Sequence, residues 1–234
     1  MSISLEVCID SAQAAKAAFD GGANRIELCS QMNLDGLTPS IEEITQARKA
    51  FPKLGLMVMA RPKAGDFIYS LAEQKQIIQN IQEAKHAGAD GVVFGILEGH
   101  AIHLEATQGI IQLTKSLGLS TTFHRAFDAT KNQAEALEQL IELGVNRVLT
   151  SGTAWGSKQG ALEGLSVIRV LLKQARERIE IVVGGGINIK NIQQIFQELE
   201  AYSNFSIHTY SGAQENNLTT VAAVKMLRDL IAKS

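Results

Sequence analysis

Two cysteines and two glutamates repeat one spacing. Glu6 and Cys8 stand two residues apart, and so do Glu27 and Cys29, with 21 residues between the copies. Thiolates and thioethers are the ligands that soft metal ions prefer, often at low coordination number. Converging side chains of Cys8 and Cys29 would therefore suit one such ion, with Met57 or Met59 as a soft third donor. The competing use of these residues is packing, because buried Cys behaves as a small hydrophobe and Met fills gaps. A second group is His124, Arg125 and Asp128, one short run with proton-transfer and anion-holding chemistry. His124 can act as general acid or base, Glu27, Asp66 or Asp128 can exchange a proton, and Arg61 and Arg125 can clamp an anion. A third is Gly184-Gly185-Gly186, which with Ser211 has the makings of a phosphate-holding turn.

Short β-type runs recur throughout: LEVCI from Leu5, RIELC from Arg25, GLMVMA from Gly55, GVVFGI from Gly91, LSTTFH from Leu119, RVLTS from Arg147, IEIVV from Ile179 and FSIH from Phe205. Stretches with helical spacing of apolar residues separate them, such as Ile77, Ile81, Ala84 and Ala87. Strands alternating with helices in this way make βαβ units and a parallel sheet. Eight units fit a closed (β/α)8 barrel of the TIM type; an open doubly wound sheet is the other arrangement, and the count favours closure. Gly22-Ala-Asn-Arg25, Gly88-Ala-Asp-Gly91 and Gly144-Val-Asn-Arg147 precede the second, fourth and sixth strands. Each reads as a left-handed glycine cap followed by a polar turn. The signal falls on even-numbered strands, which suggests a doubled unit repeated four times. Ser40-x-x-Glu43 and Ser70-x-x-Glu73 read as capping boxes, and Asp10 as a further cap.

Strand parity assigns faces. Leu5, Val7 and Ile9 must face the helices, turning Glu6 and Cys8 inward; Ile26 and Leu28 do the same for Glu27 and Cys29. Met57 and Met59, Thr122 and His124, and Ser206 and His208 also share inward parities, whereas the fourth and sixth strands are ambiguous. Buried carboxylates need partners, and Arg61 or Arg125 are the expected ones. Cys8, Cys29, Arg61 and His124 fall near strand C-terminal ends, where such barrels carry their active sites. Gly184–Gly186 and Ser211 follow the seventh and eighth strands, the usual phosphate loops of the fold. His86, His100 and His103 lie in helix or loop contexts and read as surface residues.

Composition bounds the rest. The 22 Lys+Arg and 24 Asp+Glu give a formal charge of −2, without the basic footprint of a nucleic-acid binder. No apolar run approaches the roughly 18 residues of a membrane span. The start Met1-Ser-Ile-Ser-Leu-Glu-Val lacks the basic region and apolar stretch of a signal peptide, so the expected location is cytoplasmic. Two cysteines make no secreted disulfide framework. Residues 1–234 read as a single domain, with no linker or low-complexity tract.

Several segments are specific enough to compare with known sequences. They are Leu5-Glu-Val-Cys-Ile-Asp10, Arg25-Ile-Glu-Leu-Cys29, Gly36-Leu-Thr-Pro-Ser40, Arg61-Pro-x-x-Gly-Asp-Phe67, Thr122-Phe-His-Arg-Ala-Phe-Asp128 and Val148-Leu-Thr-Ser-Gly152. In this order the chain resembles the CutC family of copper-homeostasis proteins from Leu5 to about His208. The resemblance implies a TIM-type barrel in the cytoplasm, a homodimer or higher homo-oligomer, and a role in binding Cu(I) through Cys8 and Cys29. It attaches no settled reaction; no organic cofactor is expected, and the composition gives no nucleic-acid partner and no membrane. The other function these residues support is an enzyme of lyase, isomerase or hydrolase type acting on a small anionic or phosphorylated metabolite.

Overall fold

The computed structural model describes residues 3–232. Eight parallel strands form the barrel: β1 (Ser4–Ile9), β2 (Arg25–Leu28), β3 (Leu56–Met59), β4 (Gly91–Phe94), β5 (Ser120–Phe123), β6 (Arg147–Thr150), β7 (Glu180–Val183) and β8 (Phe205–Thr209). They are hydrogen-bonded in sequence order, and β8 closes on β1. Eight helices alternate with them: α1 (Ala12–Asp20), α2 (Ile41–Ala50), α3 (Leu71–His86), α4 (Leu104–Ser116), α5 (Gln133–Leu143), α6 (Leu165–Ala175), α7 (Ile192–Leu199) and α8 (Val221–Ala232). The chain is thus a single closed (β/α)8 barrel. None of its described helices is long and apolar enough to cross a membrane.

The outward parity of the strands builds the core between barrel and helices. Leu5, Val7, Ile9, Ile26, Leu28 and Val58 belong to one continuous buried cluster there. The inward parity forms a smaller cluster of Cys8, Cys29, Met57, Met59 and Val93. The two strands that periodicity leaves undecided are resolved by packing. Val92 and Phe94 of β4 and Val148 of β6 face the helices, whereas Val93 and Leu149 face inward.

Both capping boxes form: Ser40 Oγ accepts from Glu43 N at 3.2 Å and Ser70 Oγ from Glu73 N at 3.4 Å, each with the reciprocal Glu bond. Asp10 is not a cap. The neighbouring Ser11 caps α1 by accepting from Ala14 N at 3.2 Å, and Asp10 instead accepts from the Tyr210 hydroxyl at 3.1 Å.

The doubled repeat has a physical basis in side chains that bind back to the preceding strand. Asn24 Oδ1 accepts from Leu5 N at 2.9 Å, Asp90 Oδ2 from Leu56 N at 2.8 Å, and Asn146 Oδ1 from Thr121 N at 2.8 Å. Each polar residue before an even strand thereby satisfies an amide near the start of the odd strand beside it. Gly22, Gly88 and Gly144 precede them with φ of 84°, 99° and 79°, the left-handed region that glycine enters without strain. Asp90 carries most, since it also accepts from Gly55 N at 2.7 Å and pairs with Arg48 at 2.9 Å. Asp90→Ala is expected to cost about 2 kcal/mol by stranding these donors. In thermal unfolding that is a Tm lower by roughly 6 °C; an unchanged Tm would refute the role.

Candidate functional site

At the lower end of the barrel interior lies a charged layer. Arg25 pairs with Glu6 through Nε, and its Nη2 reaches Glu180 Oε1 at 2.9 Å and Ser206 Oγ at 3.0 Å. Arg147 donates to Ser120 Oγ at 2.7 Å and to Thr122 Oγ1 at 3.2 Å, and its Nη2 sits 3.4 Å from Met57 Sδ. Among the described residues the partners of the buried glutamates are thus Arg25 and His208, in place of the expected Arg61 and Arg125. The reason is reach. Arg25 and Arg147 open their strands with inward parity, whereas Arg61 and Arg125 follow their strands and turn to the loops above. Met57 Sδ faces this lower layer, 3.6 Å from Ser120 Oγ, and the cavity lining above includes Met59 rather than Met57.

Above the charged layer the cavity opens at the C-terminal ends of the strands, with a volume of about 280 Å³. The register pairs Cys8 with Glu27 rather than with Cys29. Even so, the Cys8 and Cys29 sulfurs stand 3.9 Å apart, because Cys29 lies one inward position higher on the adjoining strand. Both thiols are free and buried. Met32, on a single 3-10 turn spanning Met32–Leu34, brings its thioether to 4.0 Å from Cys8 Sγ. Met59 also lines the cavity. Cys29 Sγ contacts Glu27 Oε1 at 3.4 Å.

His208 couples the two levels. Its Nδ1 is 2.8 Å from Glu6 Oε1 and 3.3 Å from Glu27 Oε2, and that last oxygen is buried with no hydrogen bond. Cys8, Glu27 and Cys29 form one set whose ligand atoms lie within 4.8 Å of one another; Glu6, Glu27 and His208 form another. The protonation pattern follows from burial and neighbours. Contact with the Cys29 thiol brings Cys8 down to about 6, against the effect of burial. The same sulfur contact, with burial, holds Cys29 well above the usual thiol range. Burial pushes Glu27 up to about 8, and His208 opposes this only in part. Burial would also raise Glu6, but Arg25 and His208 hold it well below the carboxylate range. His208 rises well above the imidazole range, because the carboxylates and Cys8 outweigh its burial. The two sulfurs thus differ in acidity, with Cys8 the more readily ionised of the pair.

The opposite wall is built on aromatic rings. The Phe67 ring centre lies 5.0 Å from those of His124, tilted, and Trp155, edge-on; the Arg61 guanidinium lies 5.1 Å over Phe67, and that of Arg125 lies 5.2 Å over Trp155. His124 Nδ1 accepts from Ala126 N at 3.1 Å, capping the 3-10 turn Arg125–Ala129. Burial, aided by the Arg61 charge, brings His124 down to about 3, so the ring is neutral. A Cβ at Gly95 would lie 2.5 Å from His124 Cε1, so a glycine there gives the ring its place. Stability follows the sign of that shift. A base whose folded pKa is depressed leaves the unfolded chain binding more protons, and stability falls as pH drops from about 6.5 towards 3. His124→Asn keeps a capping acceptor and removes the titration. The variant is expected to retain about 3 kcal/mol more stability at pH 4, relative to pH 8, than the parent. Denaturant titrations at the two pH values measure this difference.

The remaining expected site residues divide. Gly185, Gly186 and Ser211 line the cavity. Gly184 packs behind it, where a Cβ would lie 2.8 Å from Leu149 Cδ1. Asp128 is buried but bound by Arg125 Nε, Thr150 Oγ1, and Ser151 N and Oγ, and it braces the loop. Asp66 is exposed, accepting from Ile68 N at 3.3 Å. Neither carboxylate is part of the cavity lining. His86 and His100 are exposed, and His103 caps α4. Sequence reasoning passed over Met32, Phe67 and Trp155, which come from loops without periodicity. For Arg25 and His208 the signal was present, because both sit on inward parities.

Fold and site together define a (β/α)8 barrel protein with a thiol-lined cavity at the C-terminal mouth of its strands. The sequence matches the CutC family over residues 3–206, and the chain belongs to that family. It is 44% identical over 195 residues to a family protein CutC of Bacteroides thetaiotaomicron, covering 82% of this chain and 76% of that one. With a family protein CutC of Vibrio campbellii it shares 41% identity over 199 residues, 85% and 78% of the two chains. A crystal structure from Streptococcus agalactiae, named as a copper homeostasis protein CutC, superposes with a TM-score of 0.80 at 31% identity. That superposition covers 89% of this chain and 99% of the other.

Proposed function

We propose that this chain binds one Cu(I) through Cys8 and Cys29 and serves copper homeostasis in the cytoplasm. The observation that carries the reading is the 3.9 Å approach of two buried free sulfurs, with a thioether 4.0 Å from one of them. Metal–thiolate bonds near 2.3 Å, the length found in zinc sites, fit a gap of this size. The donor set is soft, as Cu(I) prefers over the hard oxygen ligands of Mg²⁺ or Ca²⁺. Cys8 supplies a thiolate and Met32 the nearest neutral sulfur. Glu27 lies between the second thiol and the imidazole, its Oε1 3.4 Å from Cys29 Sγ and its Oε2 3.3 Å from His208 Nδ1. The cavity gives the ion a way in from the barrel mouth. The Streptococcus agalactiae relative's assigned name agrees with this reading.

Anaerobic titration of the reduced protein with Cu(I), against a chromogenic Cu(I) chelator, tests it. The expected result is competition that saturates near one ion per chain and is lost after both thiols are alkylated. Failure to compete, or full binding after alkylation, would remove the assignment.

A further inference from the structure

The aromatic-backed wall opposite the sulfurs has binding capacity that the copper reading does not use. Arg61 is only 1% exposed, and its Nη atoms donate to the carbonyls of Leu34, Asp35, Gly36 and Gly65 at 3.0–3.2 Å. Among the described residues no carboxylate lies within ion-pair distance of it, and its Nε is buried without a partner. An uncompensated buried guanidinium is costly, and four carbonyl dipoles only lessen that cost. His124 presents a second open position. Its Nδ1 is committed to accepting from Ala126 N, so the neutral ring carries its proton on Nε2, which is likewise buried and unpartnered. Both side chains pack on Phe67 and line the same 280 Å³ cavity. Arg125 stands beside them on Trp155, its charge already balanced by Asp128.

We propose that Arg61 and His124, with Arg125 at the rim, form a subsite for the carboxylate of a small organic acid. The charge balance selects the class of anion. Arg125 is neutralised by Asp128 and His124 is neutral, so the wall offers one positive charge, that of Arg61. One charge matches a carboxylate, whereas a phosphate dianion would bring twice the charge that this wall balances. The donors also fit: two single N–H groups suit the two oxygens of a carboxylate. At about 30 Å³ for each water in the liquid, the cavity holds a compact molecule of a few carbons, stacked along Phe67 and Trp155. The subsite stands whether or not the sulfurs bind copper, since none of its residues is a sulfur donor.

The test uses metal-free, reduced, full-length protein labelled with ¹⁵N-histidine. Sodium acetate, pyruvate, succinate and inorganic phosphate are titrated separately while the His124 ring nitrogens are followed by long-range ¹H–¹⁵N correlation. The expected result is a saturable shift of His124 Nε2 with at least one carboxylate, and weaker binding of phosphate. Calorimetric Kd values for the same acid are expected to rise about tenfold in His124→Phe and in Arg61→Lys, the loss of one hydrogen bond to a charged group. Arg61→Lys also loses loop contacts, so His124→Phe with an unchanged far-UV spectrum is the decisive variant. Absence of any saturable carboxylate shift overturns the proposal. So does phosphate binding as tight as the best acid, or undiminished binding by a folded His124→Phe.

Discussion

Cys8→Ser combined with Cys29→Ser is expected to weaken Cu(I) binding by roughly a thousandfold or more, to the background of exposed side chains. A hydroxyl is a hard, weakly acidic donor, and the remaining soft atoms, Met32 and Met59, cannot supply a thiolate. Each single variant should lose most of the affinity, because two sulfurs 3.9 Å apart act as one chelate rather than as independent ligands. Met32→Leu should cost less, about tenfold, since its thioether stands 4.0 Å from Cys8 and supplies a neutral donor at most. The comparison separates ligation from packing. A packing defect would lower thermal stability in all four variants alike, whereas loss of ligation removes binding while circular dichroism stays native. Full affinity in the double variant would end the copper assignment.

The largest effect on stability is expected from Arg25→Met. Arg25 joins Glu6, Glu180 and Ser206 inside the barrel, tying β1, β2, β7 and β8 together across the closure. The Glu6 carboxylate is held ionised by Arg25 and His208 against its burial. Without the guanidinium, one of its oxygens faces an apolar methionine and the charge is left half-compensated. Breaking one side of a buried ion pair costs about 3–5 kcal/mol, which in a domain of this size lowers Tm by roughly 10 °C. Adding Glu6→Gln and Glu180→Gln should restore part of that loss, because the penalty lies in the stranded charges. Thermal unfolding of the single and triple variants measures both values. A single variant within a degree of the parent would show the network to be dispensable.

These two sites differ in how visible they were beforehand. The duplicated Glu-x-Cys spacing put both cysteines on inward faces, because alternation along a strand is a local property that apolar neighbours reveal. The same alternation placed His208 inward and, extended by one step, would have done so for Arg25, yet their partners remained hidden. Ion pairing across a barrel depends on the stagger between strands, and that is set by closure rather than by any one segment. Arg61 shows the converse. It was expected to neutralise a glutamate, but it lies two residues beyond the end of β3 and its guanidinium is gathered in by the loop carbonyls of 34–36. The Asn24, Asp90 and Asn146 repeat marked where strands begin, and the structure added why a polar residue is needed there.

Periodicity and repeat spacing were enough to establish eight strand–helix units, their inward and outward faces, and a thiol pair on neighbouring strands. Those are properties of short segments, governed by side-chain alternation and helix capping. Distances belong to the folded barrel alone. The sulfurs approach to 3.9 Å although their residues are out of register, Met32 arrives from a loop, and His124 meets Arg61 across a phenylalanine ring. Barrel shear and loop conformation bring these groups together. Both arise from contacts between residues far apart in the chain, which no local pattern encodes.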